Sequence, residues 1–324
     1  MSTPSARLTE EIVRTACLAP SVSNTQPWAW RADGDGIEVA LRADRSRQLA
    51  VLDPRGRELV ISCGSALHHF VVAADAFGLV ATATELPSAD DPDLLAELRL
   101  APGRVTDEGA ERLAALANRR TDRRGAAEWP VPPARLRQLV EAAEEQGARV
   151  VVLDDQASAL RTEELVEQAR QTQLADAAAS AEQDAWRDRA SGDGVPGQVA
   201  EPAHDLEEHH PATRFDRHAA ARDPHETHSD VLVAIGTVDD DPRAWLAAGR
   251  TLSALWLEAT RTGLALTPTT QVTEVEATRE LLRHDVLQGL HPQMLARVGW
   301  PAHAAGSPRT ERTPRRRVDE VLGG

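Results

Sequence analysis

An uncharged polar stretch near the N-terminus has the residue types of a ligand-binding loop. Residues 19–30 read Ala-Pro-Ser-Val-Ser-Asn-Thr-Gln-Pro-Trp-Ala-Trp. Pro20 and Pro27 fix the backbone φ angle and exclude a helix, and Pro27 favours an extended Gln26. The short hydrogen-bonding side chains between the prolines are Ser21, Ser23, Asn24, Thr25 and Gln26. Such a loop suits a planar polar ring better than a metal or a phosphate, although ordinary helix-to-strand loops use the same residues to cap and turn.

Two other kinds of segment carry groups that bind ligands. Residues 267–271, Thr-Pro-Thr-Thr-Gln, form a second uncharged polar loop, and arginines cluster at residues 119–124 and again in the tail at 309–317. The ordinary alternatives for these arginines are a solvated basic turn and a disordered basic end. The loops and clusters lie far apart in the sequence, so only the fold can bring them together.

Composition limits the classes of function. The 324 residues carry a formal net charge of −15, which argues against general nucleic-acid binding because phosphates need a basic surface. Cys17 and Cys63 lack a metal-ligand spacing, and buried structural roles are expected for both. No run approaches the roughly 20 apolar residues of a membrane span, and no leader is recognised, so we expect a cytoplasmic protein. The absence of lysine and tyrosine excludes Schiff-base and tyrosine general-acid chemistry.

The spacing of apolar residues predicts helices mixed with strands. Helices are expected at residues 8–19, 53–78, 106–117, 133–146, 155–190, 241–263 and 275–284, and strands at 79–86, 94–100, 149–153, 230–236, 264–266 and 294–298, with a hairpin at 28–42. Thr9, Asp53 and Asp241 are the predicted N-caps of the first helix and of the two long ones. Gly78 and Gly263 are predicted to end the long helices.

The two long helices resemble each other. Asp53-Pro54-Arg55 matches residues 241–243, and Gly64 and Gly249 each lie 14 residues before the glycine that ends their helix. The helix at 133–146 and the strand at 149 likewise match the first helix and the strand at 37. We infer a duplicated α+β unit, residues 1–117 and 118–324, in which one chain imitates a symmetric dimer. The polar loop occurs only in the first half and the arginine clusters only in the second, so one composite site is expected.

Residues 191–229 break this pattern. They are rich in Gly, Pro, Asp, Glu and His, and six of the eleven histidines lie there: His204, His209, His210, His218, His225 and His228. These histidines lack the spacing of a helical zinc site, so a flexible insertion or lid is a better interpretation than a metal centre.

Three motifs give the chain a family resemblance. Residues 19–28 resemble the Ala-Pro-Ser-x-x-Asn-x-Gln-Pro-Trp loop of the nitroreductase superfamily, which lies against the flavin. Residues 119–123, Arg-Arg-Thr-Asp-Arg, resemble its Arg-Arg-Ser-x-Arg segment, and residues 263–271 resemble its Gly-Leu-Gly-x-x-Pro loop. The single-chain duplication and the insertion are most similar to the Acg-type branch. The resemblance implies an α+β, nitroreductase-like fold, internally duplicated so that one chain mimics a dimer, with a lid over the flavin.

The resemblance also implies which residues bind FMN. The expected cofactor-binding residues are Pro20, Ser21, Ser23, Asn24, Gln26, Arg119, Arg120, Thr121, Arg123, Pro268, Thr269, Thr270, Gln271, Arg315 and Arg316. The arginines suit the phosphate, since a guanidinium donates charge-assisted and often paired hydrogen bonds. No catalytic side chain and no metal ligand is expected, because the flavin carries the chemistry.

The implied function is an FMN-binding oxidoreductase with NAD(P)H as the electron donor and a nitro-aromatic, a quinone or a similar small molecule as the acceptor. One alternative is a protein that sequesters FMN under a closed lid, because the insertion occupies the space where the nicotinamide would stack. Another is an acidic interaction protein without a cofactor. No nucleic-acid or membrane partner is expected, and a monomer is consistent with a dimer interface that is already internal.

Overall fold

The first half of the chain builds a sheet and three helices. The computed structural model describes residues 3–121, 126–127, 129–189, 191, 193–196, 230–301 and 312–323. The elements of the first half are α1 (Ala6–Ala16), β1 (Trp28–Ala32), β2 (Glu38–Ala43), α2 (Arg57–Ala76), β3 (Leu79–Glu85), β4 (Leu94–Pro102) and α3 (Asp107–Asn118). The predicted hairpin is confirmed as the antiparallel pair β1–β2.

The second half repeats this mixture of elements. They are α4 (Pro133–Glu144), β5 (Arg149–Leu153), α5 (Gln156–Ala175), α6 (Ala177–Ala185), β6 (Val231–Thr237), α7 (Pro242–Arg261), β7 (Ala265–Thr269), α8 (Gln271–Glu274), α9 (Glu276–Asp285), β8 (His291–Gly299), α10 (Val318–Val321) and β9 (Leu322–Gly323). The predicted mixture of helices and antiparallel strands is therefore confirmed.

The two sheets have the same strand connectivity. The first has the order β3-β4-β2-β1-β9 and the second β7-β8-β6-β5, and the three strand pairs that the two have in common are antiparallel in both. Strand β5 thus occupies the place of β1, and β6 the place of β2. The sequence analysis matched the strand at 149 with the strand at 37, which is β2. The strand order matches it with β1 instead, so this prediction is wrong. Strand β9 has no counterpart in the second sheet: it brings the C-terminus back beside β1 in a parallel pairing.

Helices α2 and α7 cross in the middle of the protein. Each has 20 residues, and their first residues, 57 and 242, differ by 185. Gly64 and Gly249, which also differ by 185, meet at the crossing. A Cβ atom on Gly64 would overlap the Leu246 carbonyl oxygen, and one on Gly249 would overlap the Ile61 carbonyl oxygen. The contact is reciprocal, and it lets the two backbones approach closely enough to bury both helices.

Two predicted helix starts are wrong. Helix α1 is capped by the Ser5 side chain, not by Thr9, whose buried hydroxyl donates to the Gly36 carbonyl. Helix α2 begins three residues after the Asp53-Pro54 pair, with Gly56 at the N-cap in the left-handed region (φ 73°). The buried Asp53 carboxylate instead accepts from the Leu59 backbone N–H. The two Asp-Pro pairs are therefore not equivalent, since Asp241 does cap α7.

Two other predictions need correction. The helical region expected at 155–190 is broken at Asp176, whose side chain caps α6. Residues 267–269 are not a loop, because they belong to strand β7, where Pro268 lies opposite Ala296. Proline is tolerated there because β7 is an edge strand and need not donate a hydrogen bond on its outer side.

Helix α2 is long and apolar enough to cross a membrane by length and composition, contrary to the sequence-based expectation. However, 89% of its most apolar window is buried inside the protein. It also begins with the buried ion pair of Arg57 and Glu58. These are the properties of a core helix.

The predicted insertion at 191–229 lies mostly outside the described residues, and so do its six histidines. Of this insertion, the described structure contains only Ser191 and residues 193–196. Asp193 is buried and ion-paired with Arg47, and Arg189 also binds it at 3.1 Å. The beginning of the insertion is therefore fixed to the body of the protein.

Substituting Gly249 with alanine should destabilise the protein by about 2 kcal/mol, because the added methyl group cannot fit against the Ile61 carbonyl. Urea unfolding followed by circular dichroism measures this loss. Gly34→Ala is the matched control, since no atom lies within 4 Å of its Cβ position. Equal stability of the two variants would contradict the close crossing of α2 and α7.

Candidate functional site

A cavity lies on one side of the crossing between α2 and α7. Residues of α2, α3, α7, β7 and β8 line it together with the polar loop and the C-terminal segment. The lining residues are Leu18, Pro20, Ser21, Val22, Ser23, Asn24, Glu58, Ile61, Ser62, Ser65, Leu116, Arg119, Arg120, Thr121, Val195, Leu252, Trp256, Pro268, Thr270, Met294, Arg312, Thr313 and Arg315. The fold thus brings together the polar loops and arginine clusters that are far apart in the sequence.

The polar loop is held in an unusual backbone shape. Ser23, Asn24 and Gln26 all have positive φ angles, between 45° and 53°, which L-residues rarely adopt. The Ser21 hydroxyl accepts from the Gln26 backbone N–H at 2.9 Å, and the Val22 N–H donates to the Ser62 hydroxyl of α2 at 3.1 Å. Strained backbone of this kind persists only where the surroundings enforce it, and it is often found at binding sites.

Two amides of this loop hold the C-terminal segment. The Asn24 side chain donates to the Pro314 carbonyl at 3.0 Å and accepts from Arg315 Nη1 at 3.0 Å. Gln26 is fully buried and does not line the cavity, and its Oε1 accepts from the Arg316 backbone N–H at 2.8 Å. These amides therefore position the arginines of the tail.

Asn24 also holds the beginning of the insertion. Its side chain donates to the Gly194 carbonyl at 2.8 Å, and the Gly194 N–H donates to the Asn24 carbonyl at 3.2 Å. The next residue, Val195, lines the cavity. The start of the insertion thus forms part of the cavity wall.

Arg119 is a buried cation with unused donors. Its guanidinium lies 4.4 Å from the centre of the Trp256 ring, and its Nη2 donates to the Leu18 carbonyl at 3.1 Å. Its Nε and Nη1 are buried without a hydrogen-bond partner among the described residues. Burial, and then the charges of Arg315 and Arg312, hold the pKa of Arg119 well below its usual range. An anion in the cavity would relieve both the missing hydrogen bonds and the charge repulsion.

Arg315 reinforces this positive region. Its Nη2 donates to the Leu18 and Ala19 carbonyls at 3.1 and 3.3 Å, and its Nε has no partner in the described structure. Burial, with Arg312 nearby, lowers its pKa to about 10. Within the described ranges, no carboxylate lies within 4.0 Å of the guanidinium groups of Arg119, Arg312 and Arg315. In the part of the chain that the structure describes, these three arginines have no carboxylate counter-ion, and such an arrangement suits an anionic ligand.

A polar hydroxyl without a partner also lies in the cavity. The Ser23 Oγ atom is buried and makes no hydrogen bond within the described part of the chain. Since buried hydroxyls are normally paired, the cavity fits a ligand that also has hydrogen-bonding groups away from its anionic end. A phosphate joined to a polar ring system, as in FMN, meets both requirements.

The remaining predicted site residues fall into three groups. Arg120, Thr121, Pro268 and Thr270 line the cavity with Pro20 and Ser21. Thr269, Gln271 and Arg316 do not: Thr269 pairs in the sheet opposite Leu295, the Gln271 amide donates to Gln173 at 2.9 Å, and Arg316 Nη1 lies 3.7 Å from the Asp44 carboxylate. Arg123 lies outside the described residues.

Three of the lining residues that were not predicted bear on the chemistry of the cavity. Trp256 has the apolar spacing of any core position in α7, and its place beneath Arg119 depends on contacts between distant segments. Arg312 belongs to the recognised tail cluster, so the sequence contained that signal. Glu58 is only 2% exposed and lies against Arg57 at 2.6 Å, which places a carboxylate in the same cavity as the arginines. Its place in the sequence, between Arg57 and Leu59, gives no hint of this burial.

Comparisons with known proteins identify the family of this chain. The Nitroreductase family model matches residues 116–300. "Putative NAD(P)H nitroreductase Rv3131" of Mycobacterium tuberculosis (strain ATCC 25618 / H37Rv) is 37% identical over 98% of this chain and 92% of its own. "Putative NAD(P)H nitroreductase acg" of the same strain is 34% identical over 98% of this chain and 97% of its own. The chain belongs to the nitroreductase family, as its resemblance implied.

A solved structure was also compared. A nitroreductase of Bacteroides fragilis with bound FMN has a TM-score of 0.40 and 13% identity over 63% of this chain and 95% of its own. The sequence relationships above, and not this likeness, establish the family.

Replacing Arg119 with methionine should remove the cost of a buried, unpaired charge. We expect the ligand-free protein to become more stable, by about 1 kcal/mol, and inorganic phosphate to raise the melting temperature of the variant less than that of the unmodified protein. Thermal unfolding with and without phosphate measures both effects. Arg135→Met, at an exposed position on α4, is the control. Equal phosphate stabilisation of all three proteins would contradict an anion site at Arg119.

Proposed function

We propose that this protein is an FMN-dependent oxidoreductase that oxidises NAD(P)H and reduces a small-molecule acceptor such as a nitro-aromatic or a quinone. Family membership supports an oxidoreductase of the nitroreductase type. The observation that supports FMN is the cluster of buried arginines with unused donors beside a strained polar loop. The chemistry supplied by a bound FMN is transfer of two electrons from the reduced nicotinamide to the acceptor.

Each part of the cavity has a role in this proposal. Arg119, Arg312 and Arg315 bind the phosphate, and Arg120 and Thr121 bind the phosphate or the ribityl oxygens. Pro20, Ser21 and Ser23 lie against the ring, with Ser23 donating its free hydroxyl. Pro268 and Thr270 border the edge where electrons are exchanged.

The other predicted residues support these contacts from outside. Asn24 and Gln26 hold the loop and the tail together, and Arg316 fixes the tail through Asp44. Thr269 and Gln271 shape the strand end that carries Thr270. We assign Arg123 to the phosphate by its place in the motif.

We also propose that the chain is internally duplicated and acts as a monomer. The matching order of four strands in each sheet and the reciprocal crossing at Gly64 and Gly249 support two related halves. The polar loop comes from the first half and Arg119 from the second, so a single chain supplies both sides of the site. A cytoplasmic location accompanies this proposal, since NAD(P)H is the electron donor.

A second candidate function is sequestration of FMN with little turnover. The position of Val195 in the cavity wall, held by the paired hydrogen bonds of Asn24 and Gly194, favours a cavity that is partly closed by the insertion. A closed cavity would hold FMN while excluding the nicotinamide. The two candidates differ in whether NAD(P)H can reach the bound flavin.

The visible spectrum of the purified protein with FMN tests the proposal. We expect a flavin band that is bleached by NADH or NADPH without oxygen and that returns when a nitro-aromatic or quinone is added. A band that is bleached by dithionite but not by either nicotinamide would favour sequestration. A protein that takes up no FMN would overturn both candidates.

The contribution of Arg119 can be measured in the same assay. Because hydrogen bonds to charged groups contribute roughly 1.5–3 kcal/mol, Arg119→Met should weaken FMN binding about tenfold or more. Fluorescence titration of FMN gives the dissociation constant. Arg135→Met should bind FMN like the unmodified protein, and unchanged binding by Arg119→Met would remove Arg119 from the phosphate site.

A further inference from the structure

A second cavity lies on the opposite side of the same helix crossing. It has a volume of about 870 Å³ and is enclosed by α2, α7, α3, α4 and the edge strand β3. This volume is within the range of small-molecule sites, which is roughly 300–1,000 Å³. None of the residues assigned to FMN lines it.

The second cavity is the counterpart of the first in the related halves. Leu252 and Trp256 of α7 line the first cavity, and the residues 185 positions earlier, Leu67 and Val71 of α2, line the second. Ser65 lines the first cavity, and its counterpart Arg250 lines the second. The same helix pair therefore forms two concave surfaces, and their side chains have become different.

The floor of the second cavity is apolar. Leu67, Leu79 and Leu257 are buried beneath it, with exposures of 0%, 1% and 6%, and Ala115 and Ala254 leave open space between them. His68 also lies in this floor, with its Nδ1 2.8 Å from the Ser253 hydroxyl. Burial, and then the charges of Arg250 and Arg112, lower the pKa of His68 to about 3, so the imidazole stays neutral near pH 7. An apolar body can pack on this surface.

The rim of the second cavity is acidic. Its carboxylates are Asp75, Glu85, Glu108, Glu111, Glu145 and Glu258, and its guanidinium groups are Arg112, Arg250 and Arg261. The rim therefore has three more negative than positive charges, whereas positive charges predominate among the residues that line the first cavity.

Each arginine of the rim already has a carboxylate partner. Arg250 pairs with Glu85, Arg261 with Glu258 at 2.7 Å, and Arg112 with Glu108 at 2.6 Å. The rim therefore has no unpaired arginine to bind a phosphate. Asp75 and Glu111 lie 3.9 Å from Arg112 and Arg261, so five carboxylates share three guanidinium groups, and Glu145 adds a sixth negative charge to the rim.

We propose that this second cavity binds a small organic cation with an apolar, aromatic body. The apolar floor accepts the body and the excess of carboxylates on the rim accepts the charge. The site is separate from the FMN site, and it is independent of whether the protein oxidises NAD(P)H.

Two probes of the same shape and opposite charge test this proposal. Tetraphenylphosphonium is the cation and tetraphenylborate is the matched anion. We expect the full-length, FMN-loaded protein to bind one equivalent of the cation in isothermal titration calorimetry, with at least roughly tenfold weaker binding of the anion and weaker cation binding at higher salt. Equal binding of both ions, or release of FMN by the cation, would overturn the proposal.

Variants at exposed positions locate the binding site. Glu145 lines the second cavity at the end of α4, and Glu141 lies one helical turn earlier, is also exposed, and does not line it. Glu145→Lys should weaken binding of the cation roughly three- to tenfold at low salt, because two units of charge change near the site. Glu141→Lys should have a smaller effect. Equal effects of the two variants would show that only the general charge of the surface matters, and would overturn the proposed site.

A second substitution tests the shape of the cavity. Val80 of β3 is 53% exposed and lines the same cavity, so Val80→Arg adds bulk and positive charge without disturbing the core. We expect loss of most cation binding and unchanged FMN content. Retained binding of the cation by this variant would place the probe elsewhere and contradict the proposal.

Discussion

The backbone contact between Gly64 and Gly249 determines how the rest of the protein is arranged. It brings α2 and α7 together so closely that each helix contributes one wall to a cavity on either side. Any larger residue at the crossing would push the helices apart and change the shape of both cavities together. The sheets, in turn, cover the outer sides of this helix pair. The shapes of both cavities therefore depend on Gly64 and Gly249, which have no side chain.

The arginines of the first cavity lower the stability of the folded protein. A buried guanidinium without a counter-ion is unfavourable, and here the buried Arg119 lies near the half-buried Arg315 and the exposed Arg312. The ring of Trp256 offsets part of this cost through its contact with Arg119, and backbone carbonyls accept several of the hydrogen bonds of Arg315. The remaining excess of positive charge favours an anionic ligand, as proposed above, because a negatively charged group would supply hydrogen-bond acceptors and neutralise the arginines. An acidic protein surface does not prevent this, since the local arrangement of charge controls binding at short range.

The features that were predicted correctly depend on neighbours in the sequence. The hairpin at 28–42, the cap of α7 at Asp241 and the helix ends near Gly78 and Gly263 all follow from turn and capping preferences within a few residues. Asp53 was misassigned because an Asp-Pro pair has the same local signature in a turn as at a helix start. The glycine spacing did identify the register of α2 and α7, since both glycines are needed at the crossing.

The features that were missed depend on contacts between distant segments. Asn24 and Gln26 looked like ligand-facing amides, but both bind residues about 290 positions away. No local pattern indicates whether an amide faces a ligand or another part of the chain. Trp256 and Glu58 became site residues only because α7 and α2 rotate them toward the same space. The sequence could therefore identify the elements of the site but not the direction of each side chain.

The pairing of β9 with β1 has a consequence for synthesis of the protein. All residues up to 322 must be synthesised before Leu322 can pair with Trp30, and the arginines at 312 and 315 precede this strand by only a few residues. The ribosome releases the N-terminal half first, so the polar loop is synthesised long before the segment that it holds. The first cavity can thus take its final form only after residue 322 has been synthesised. A nascent chain that has reached only residue 311 contains α1 to α9 and lacks both Arg312 and Arg315.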